Sequence, residues 1–276
     1  MALGLGIGVG LLSGCGKQQS TEAGPTDPAA SGGSTSTPTQ TPTIIESPPP
    51  PGAGEPIACG DRTATSPAVT DFSVWDATLG TWGTADGQGL SGGWLNYGDI
   101  GSSENTGTAS LINGQVDTTQ PDPSLELAGT VSTYAGFILW MSSCLDASAY
   151  AGVEFDLLGT LPEGVQLQLQ LQTNENYPVD EEQMRGACEF TDLTARWLQC
   201  LNPAAVADVP SGGGVVTVPW DAFSGGQPDE GANPAELLGF QWQFVCETAG
   251  TPCAIDVSID NLRFFSAAVD ADAGTP

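Results

Sequence analysis

Val165, Leu167, Leu169 and Leu171 alternate without interruption with Gln166, Gln168, Gln170 and Gln172. A helix would spread those glutamines around its circumference, whereas a strand sends successive side chains to opposite faces. The run is therefore a strand with its aliphatic residues inward and its amides outward. Any fold that contains it must bury one face of a sheet and leave the other polar. Gly239-Phe240-Gln241-Trp242-Gln243-Phe244 repeats the pattern, with aromatics inward and Gln241 and Gln243 outward.

Further strands are expected at 135–142, 153–158, 196–201, 215–219 and 254–265, separated by Gly- and Pro-rich connections. No long 3.6-residue periodicity is visible, and Asn233 to Leu237 suits one helical turn with Pro234 at its start. Seven or more strands of this kind give an all-β fold, a two-sheet antiparallel sandwich or jelly roll. The expected folded domain is 59–267.

The ends of the chain have a different composition. Residues 1–14 carry Leu3, Leu5, Ile7, Val9, Leu11 and Leu12 among glycines, with no charge. That run is too short to remain as a membrane span but suits the core of a signal peptide. It ends in Leu12-Ser13-Gly14-Cys15, which resembles the lipobox of bacterial lipoproteins, although a basic segment ahead of the apolar run is missing. The resemblance implies that 1–15 is a lipoprotein signal and that the Cys15 thiol carries the lipid. Gly16 after the cysteine points to the outer membrane, with the folded part facing periplasm or exterior. Residues 16–58 are rich in Ser, Thr, Pro and Gly, include Pro48 to Pro51, and cannot build a core, so a flexible spacer is expected. The tail 268–276 has the same character.

Seven cysteines are present; setting Cys15 aside leaves Cys59, Cys144, Cys188, Cys200, Cys246 and Cys253. An even number in an exported chain reads as a disulfide framework. Spacing favours Cys188–Cys200 and Cys246–Cys253 as local bridges, leaving Cys59–Cys144. A metal site is the competing reading of the cysteines, but no C-x-x-C pair occurs. Histidine is absent altogether, which removes Ser-His-Asp and Cys-His catalysis and His-based metal centres. Five Lys and Arg against 33 Asp and Glu give a formal charge of −28. That balance excludes phosphate-backbone recognition, so no nucleic-acid partner is expected.

Four segments carry a resemblance to the jelly-roll, galactose-binding-like carbohydrate-binding modules of family 11 and their relatives. They are Gly92 to Asp99, Leu145 to Phe155, Val216 to Phe223 with Leu237 to Trp242, and Ile259 to Phe264. The resemblance spans about 65–265. It implies a non-catalytic monomer whose concave sheet or loop rim binds polysaccharide or cell-envelope glycan. Modules of this type often carry a structural Ca²⁺ between their first and last strands, which makes Asp71, Asp76 and Asp260 candidate ligands.

Sugars offer C–H faces to aromatic rings and hydroxyls to amides. Gln168, Gln170 and Gln172, with Gln241 and Gln243 if the two strands share a sheet, are the candidate polar stripe. The alternative is that these glutamines merely solvate an outer sheet face. Trp140, on the parity of Ile138 and Ser142, is expected to face outward beside them. Trp94, Tyr97 and Tyr177 are placed in polar loops as further ring candidates, and Asp156 as a rim carboxylate. Glu154 and Asp156 lie two apart on one strand face, an arrangement that admits a glycoside-hydrolase alternative. A structural or adhesion role with a protein partner is the remaining one.

Overall fold

The structure, a computed structural model, describes residues 62–84, 89–98, 110–180, 185–191, 196–247 and 251–267. The Cys15 lipidation site, the 16–58 spacer, Cys59 and the 268–276 tail lie outside those residues. Among the described residues no helix is long and apolar enough to cross a membrane.

Among the described residues thirteen strands follow one another. They are β1 (Ala68–Thr70), β2 (Val74–Asp76), β3 (Thr81–Gly83), β4 (Ser91–Gly98), β5 (Leu111–Val116), β6 (Leu125–Val131) and β7 (Tyr134–Leu145). Then come β8 (Gly152–Gly159), β9 (Val165–Thr173), β10 (Ala204–Val206), β11 (Gly213–Pro219), β12 (Leu237–Cys246) and β13 (Cys253–Phe265). Every pairing between them is antiparallel. The front sheet runs β10-β9-β12-β7-β4-β3-β2, and the back sheet runs β11-β8-β13-β6-β5 with β1 added to β13. The chain is thus an all-β sandwich of two antiparallel sheets.

The core follows from the period-two sequences. Leu167, Leu169 and Leu171 of β9 and Phe240, Trp242 and Phe244 of β12 are buried toward the back sheet. They meet Val153, Phe155 and Leu157 of β8 and Val257 and Ile259 of β13 in one cluster. Trp242 of the front sheet meets Phe155 of the back sheet edge to face, ring centroids 5.8 Å apart, the geometry that the ring quadrupoles favour. Trp75, Trp94 and Phe137 stack in series at one end, at 4.9 Å and 5.7 Å.

Two local expectations are corrected. Residues 196–201 do not form a strand: Arg196–Gln199 makes a single helical turn, α1. The Cys188–Cys200 disulfide fixes its end, and the Gln199 amide pairs with the backbone N–H and hydroxyl of Thr191. Residues 92–98 are strand β4 rather than a loop. Gly92 and Gly93 belong there because a side chain at either would collide with Trp140 of the neighbouring strand.

Cys246–Cys253 is also bridged, tying the end of β12 to the start of β13. Cys144 is disulfide-bonded as well; its expected partner, Cys59, lies outside the described residues.

Candidate functional site

Antiparallel pairing places the outward residues of β9, β12, β7 and β4 in three cross-strand rows. Gln172, Gly239, Trp140 and Gly93 form the first. Gln170, Gln241, Ile138 and Leu95 form the second, and Gln168, Gln243, Gly136 and Tyr97 the third. Of these twelve positions five are glutamine, all on β9 and β12, three are glycine, and four on β7 and β4 are aromatic or aliphatic. Tyr97, Ile138 and Trp140 constitute a hydrophobic cluster of their own, distinct from the interior, with Leu95 and Tyr134 against it.

Hydrogen bonds link the amides into a directional ladder. Gln241 Nε2 donates to Tyr97 Oη at 2.9 Å and to Gln170 Oε1 at 3.0 Å. Gln170 Nε2 donates to Gln243 Oε1 at 3.2 Å, and Gln243 Nε2 to Gln168 Oε1 at 3.3 Å. Gln168 Nε2 completes the series on Gln166 Oε1 at 2.7 Å. Each carboxamide has two N–H donors and two acceptor lone pairs, so Gln168 and Gln170 each keep a second N–H. Gln166, Gln168, Gln170 and Gln243 are partly exposed, whereas Gln172 and Gln241 are each only 6% exposed.

Tyr97 joins the two halves of the face. Its ring lies over Gly136, where a Cβ would collide with the phenol, and its hydroxyl reaches Gln243 Oε1 at 3.3 Å. Burial pushes the phenol well above its ordinary range, against the hydrogen bond from Gln241, with Tyr134 adding to the rise. It therefore stays a neutral donor and acceptor. Trp140 rests on Gly93 in the same way. The two rings form a floor flush with the sheet, both less than a tenth exposed. Gln172 stands apart from the ladder, its Oε1 buried without a hydrogen-bond donor and packed above Gly239.

The sequence candidates divide accordingly. Gln168, Gln170, Gln172, Gln241, Gln243, Trp140 and Tyr97 share this outer face. Trp94 does not: it has the opposite parity on β4 and packs inward on Trp75 and Phe137. Tyr177 is not an exposed ring either, since Arg185 lies over it at 4.8 Å from its centroid and donates to its hydroxyl.

Asp156 belongs to the other sheet. It and Glu154 lie on β8, where Arg263 of β13 donates to Glu154 Oε1 at 2.7 Å and approaches Asp156 Oδ1 at 3.5 Å. Asn261 also donates to Asp156, at 2.9 Å. The single guanidinium thus offsets one of the two carboxylate charges and engages an oxygen of each. Ile138, Gln166, Gly93 and Gly136 are members of the front face that were not among the sequence candidates. Their signal was the Gly92-Gly93 pair and the parity Ile138 shares with Trp140.

Asp71, Asp76 and Asp260 are not gathered as a three-carboxylate group, although the charge of Asp71 reaches Asp260. Among the described residues no group of three or more metal-ligating side chains is placed to hold an ion. Asp71 accepts from Ser73, and Asp76 accepts from the backbone of Thr78 and Leu79. Asp260 is 5% exposed and accepts from the Asn261 N–H. Burial first, and then the charges of Asp122, Asp156 and Asp71, push its carboxyl above the ordinary value.

No protein-family model matches the chain, and no curated protein does. Solved structures resemble it distantly. A family 11 carbohydrate-binding module from Clostridium thermocellum, in complex with a β-1,3-1,4-mixed-linked tetrasaccharide, is 12% identical. That match covers 73% of this chain and 96% of the module, with a TM-score of 0.44. The family 11 module of the cellulosomal cellulase Lic26A-Cel5E of the same organism is 12% identical over 63% of this chain and 88% of its own, with a TM-score of 0.41. The glycoside hydrolase domain of Endo-D from Streptococcus pneumoniae R6 is 10% identical over 63% of this chain but 22% of its own, with a TM-score of 0.34.

Proposed function

We propose that this domain is a non-catalytic glycan-binding module that holds its ligand on the outer face of the front sheet. The observation that carries the reading is the amide ladder from Gln241 to Gln166 running beside Trp140, Ile138 and Tyr97. Amides both donate to and accept from hydroxyls, while the apolar floor meets ring C–H groups. Because the ladder fixes each amide, little side-chain entropy remains to be lost on binding. Lipid attachment at Cys15, a spacer over 16–58 and an outer-membrane location complete the proposal; they rest on the sequence alone.

Retention of the protein on a glycan array tests the reading. Binding that Trp140→Ala and Gln170→Leu each weaken, with the unfolding midpoint little moved in Gln170→Leu, is the expected result. Silence across neutral and charged plant, bacterial and host glycans would favour the structural or adhesion role.

A further inference from the structure

Resting on that reading, we infer that the front face selects uncharged glycans and rejects polymers bearing carboxylate, sulfate or phosphate. The three rows contain glutamine, glycine, leucine, isoleucine, tryptophan and tyrosine, with no acid and no base. The one ionisable group, the Tyr97 phenol, is held protonated by burial. The face is thus a neutral strip on a chain whose formal charge is −28.

Among the described residues no lysine or arginine stands in these rows to meet an anionic ligand. Arg263 is held between Glu154 and Asp156 on the back sheet. Arg185 lies over the Tyr177 ring with its guanidinium on the hydroxyl. An anionic sugar would therefore give up water on a partly buried amide surface that offers N–H groups but no countercharge. It would also approach through the field of the surrounding acidic surface, which reaches further as ionic strength falls. A neutral hydroxyl loses little in the same exchange, because the ladder amides replace its water hydrogen bonds.

The test uses the full chain and polysaccharide pairs that share a backbone, such as hydroxyethylcellulose against carboxymethylcellulose and dextran against carboxymethyldextran. Affinity electrophoresis and titration calorimetry are run at low and at physiological salt. The expected result is retention by the neutral member of at least one pair, with its charged partner at least about tenfold weaker. That gap should widen at low salt, while neutral binding stays nearly salt-independent. Gln166→Lys, at the open end of the ladder, should narrow the gap by strengthening binding to the charged member.

Equal or tighter binding of the charged member overturns the inference and leaves glycan binding standing. Retention of neither member of any pair removes the glycan reading, and the inference with it. A Gln166→Lys protein that discriminates as strongly as the parent would show that this face does not set the preference.

Discussion

The indole of Trp140 lies over Gly93, so close that a Cβ at residue 93 would collide with its ring atoms. The same arrangement recurs with Tyr97 over Gly136, and together they set the floor of the proposed face. Gly93→Ala should displace the ring rather than merely crowd it, because a fused aromatic has no flexible end to yield. A stability loss of about 1–3 kcal/mol is expected for such overpacking. Glycan affinity should fall by more than the shift in unfolding midpoint accounts for, as read by calorimetry beside thermal melts.

Gln241 is the amide on which the ladder turns, since it donates to both Tyr97 and Gln170. Gln241→Leu removes both donors and should cost roughly 1–2 kcal/mol of stability, together with most of the binding. Gln241→Glu offers a subtler readout. Burial raises the pKa of a carboxyl placed there and favours its neutral form. Binding lost at pH 7 should therefore return in part as the solution is made acidic, whereas Gln241→Leu should show no such recovery.

On the back sheet, Arg263→Met should separate stability from binding. Glu154 and Asp156 would be left facing each other without their cation, at side-chain exposures of 21% and 27%. Solvent screens a pair at that depth, so a loss of roughly 1–2 kcal/mol is expected at neutral pH. Glycan retention should be unchanged, because the substitution lies on the face opposite the amides.

Asp260 supplies a pH dependence of defined sign. Its folded carboxyl lies above the ordinary value of 3.8, chiefly through burial and then through Asp122, Asp156 and Asp71. The folded state therefore binds this proton more tightly than the unfolded chain. The group destabilises the fold above the raised value, and that penalty disappears as pH falls through it toward 3.8. Asp117 and Asp146, lowered by hydrogen bonds from Thr119 and Gln120 and from Ser148, act in the opposite sense. Comparison of Asp260→Asn with the parent isolates the first contribution: the variant should melt higher at pH 7, and the difference should vanish on acidification.

Structural calcium at Asp71, Asp76 and Asp260 is tested by chelation: a fall of several degrees in the unfolding midpoint that calcium restores would support it, and an unchanged midpoint would remove it from the account.

Much of the face was legible in sequence because strand parity is a local property. The alternation at 165–172 places β9, and the parity of Trp140 against Phe137, Leu139 and Met141 sends its ring away from the core. Parity does not say which sheet a strand joins, and for that reason Asp156 was grouped with a face on the other side of the sandwich. Gly92 and Gly93 resemble a turn until Trp140 is seen to need the space they leave. Arg185 covers Tyr177, and a disulfide with Gln199 winds Arg196–Gln199 into α1. Both outcomes depend on contacts that no window of alternating residues contains.

The measurement closest to the central claim is calorimetric titration of one array-selected glycan into the parent protein and into Gln170→Leu, Gln241→Leu and Trp140→Ala, each checked by thermal melting. The account predicts saturable binding by the parent and a loss in all three variants beyond what their melting shifts explain. Undiminished affinity in folded Gln170→Leu and Trp140→Ala proteins would place the ligand elsewhere and contradict it.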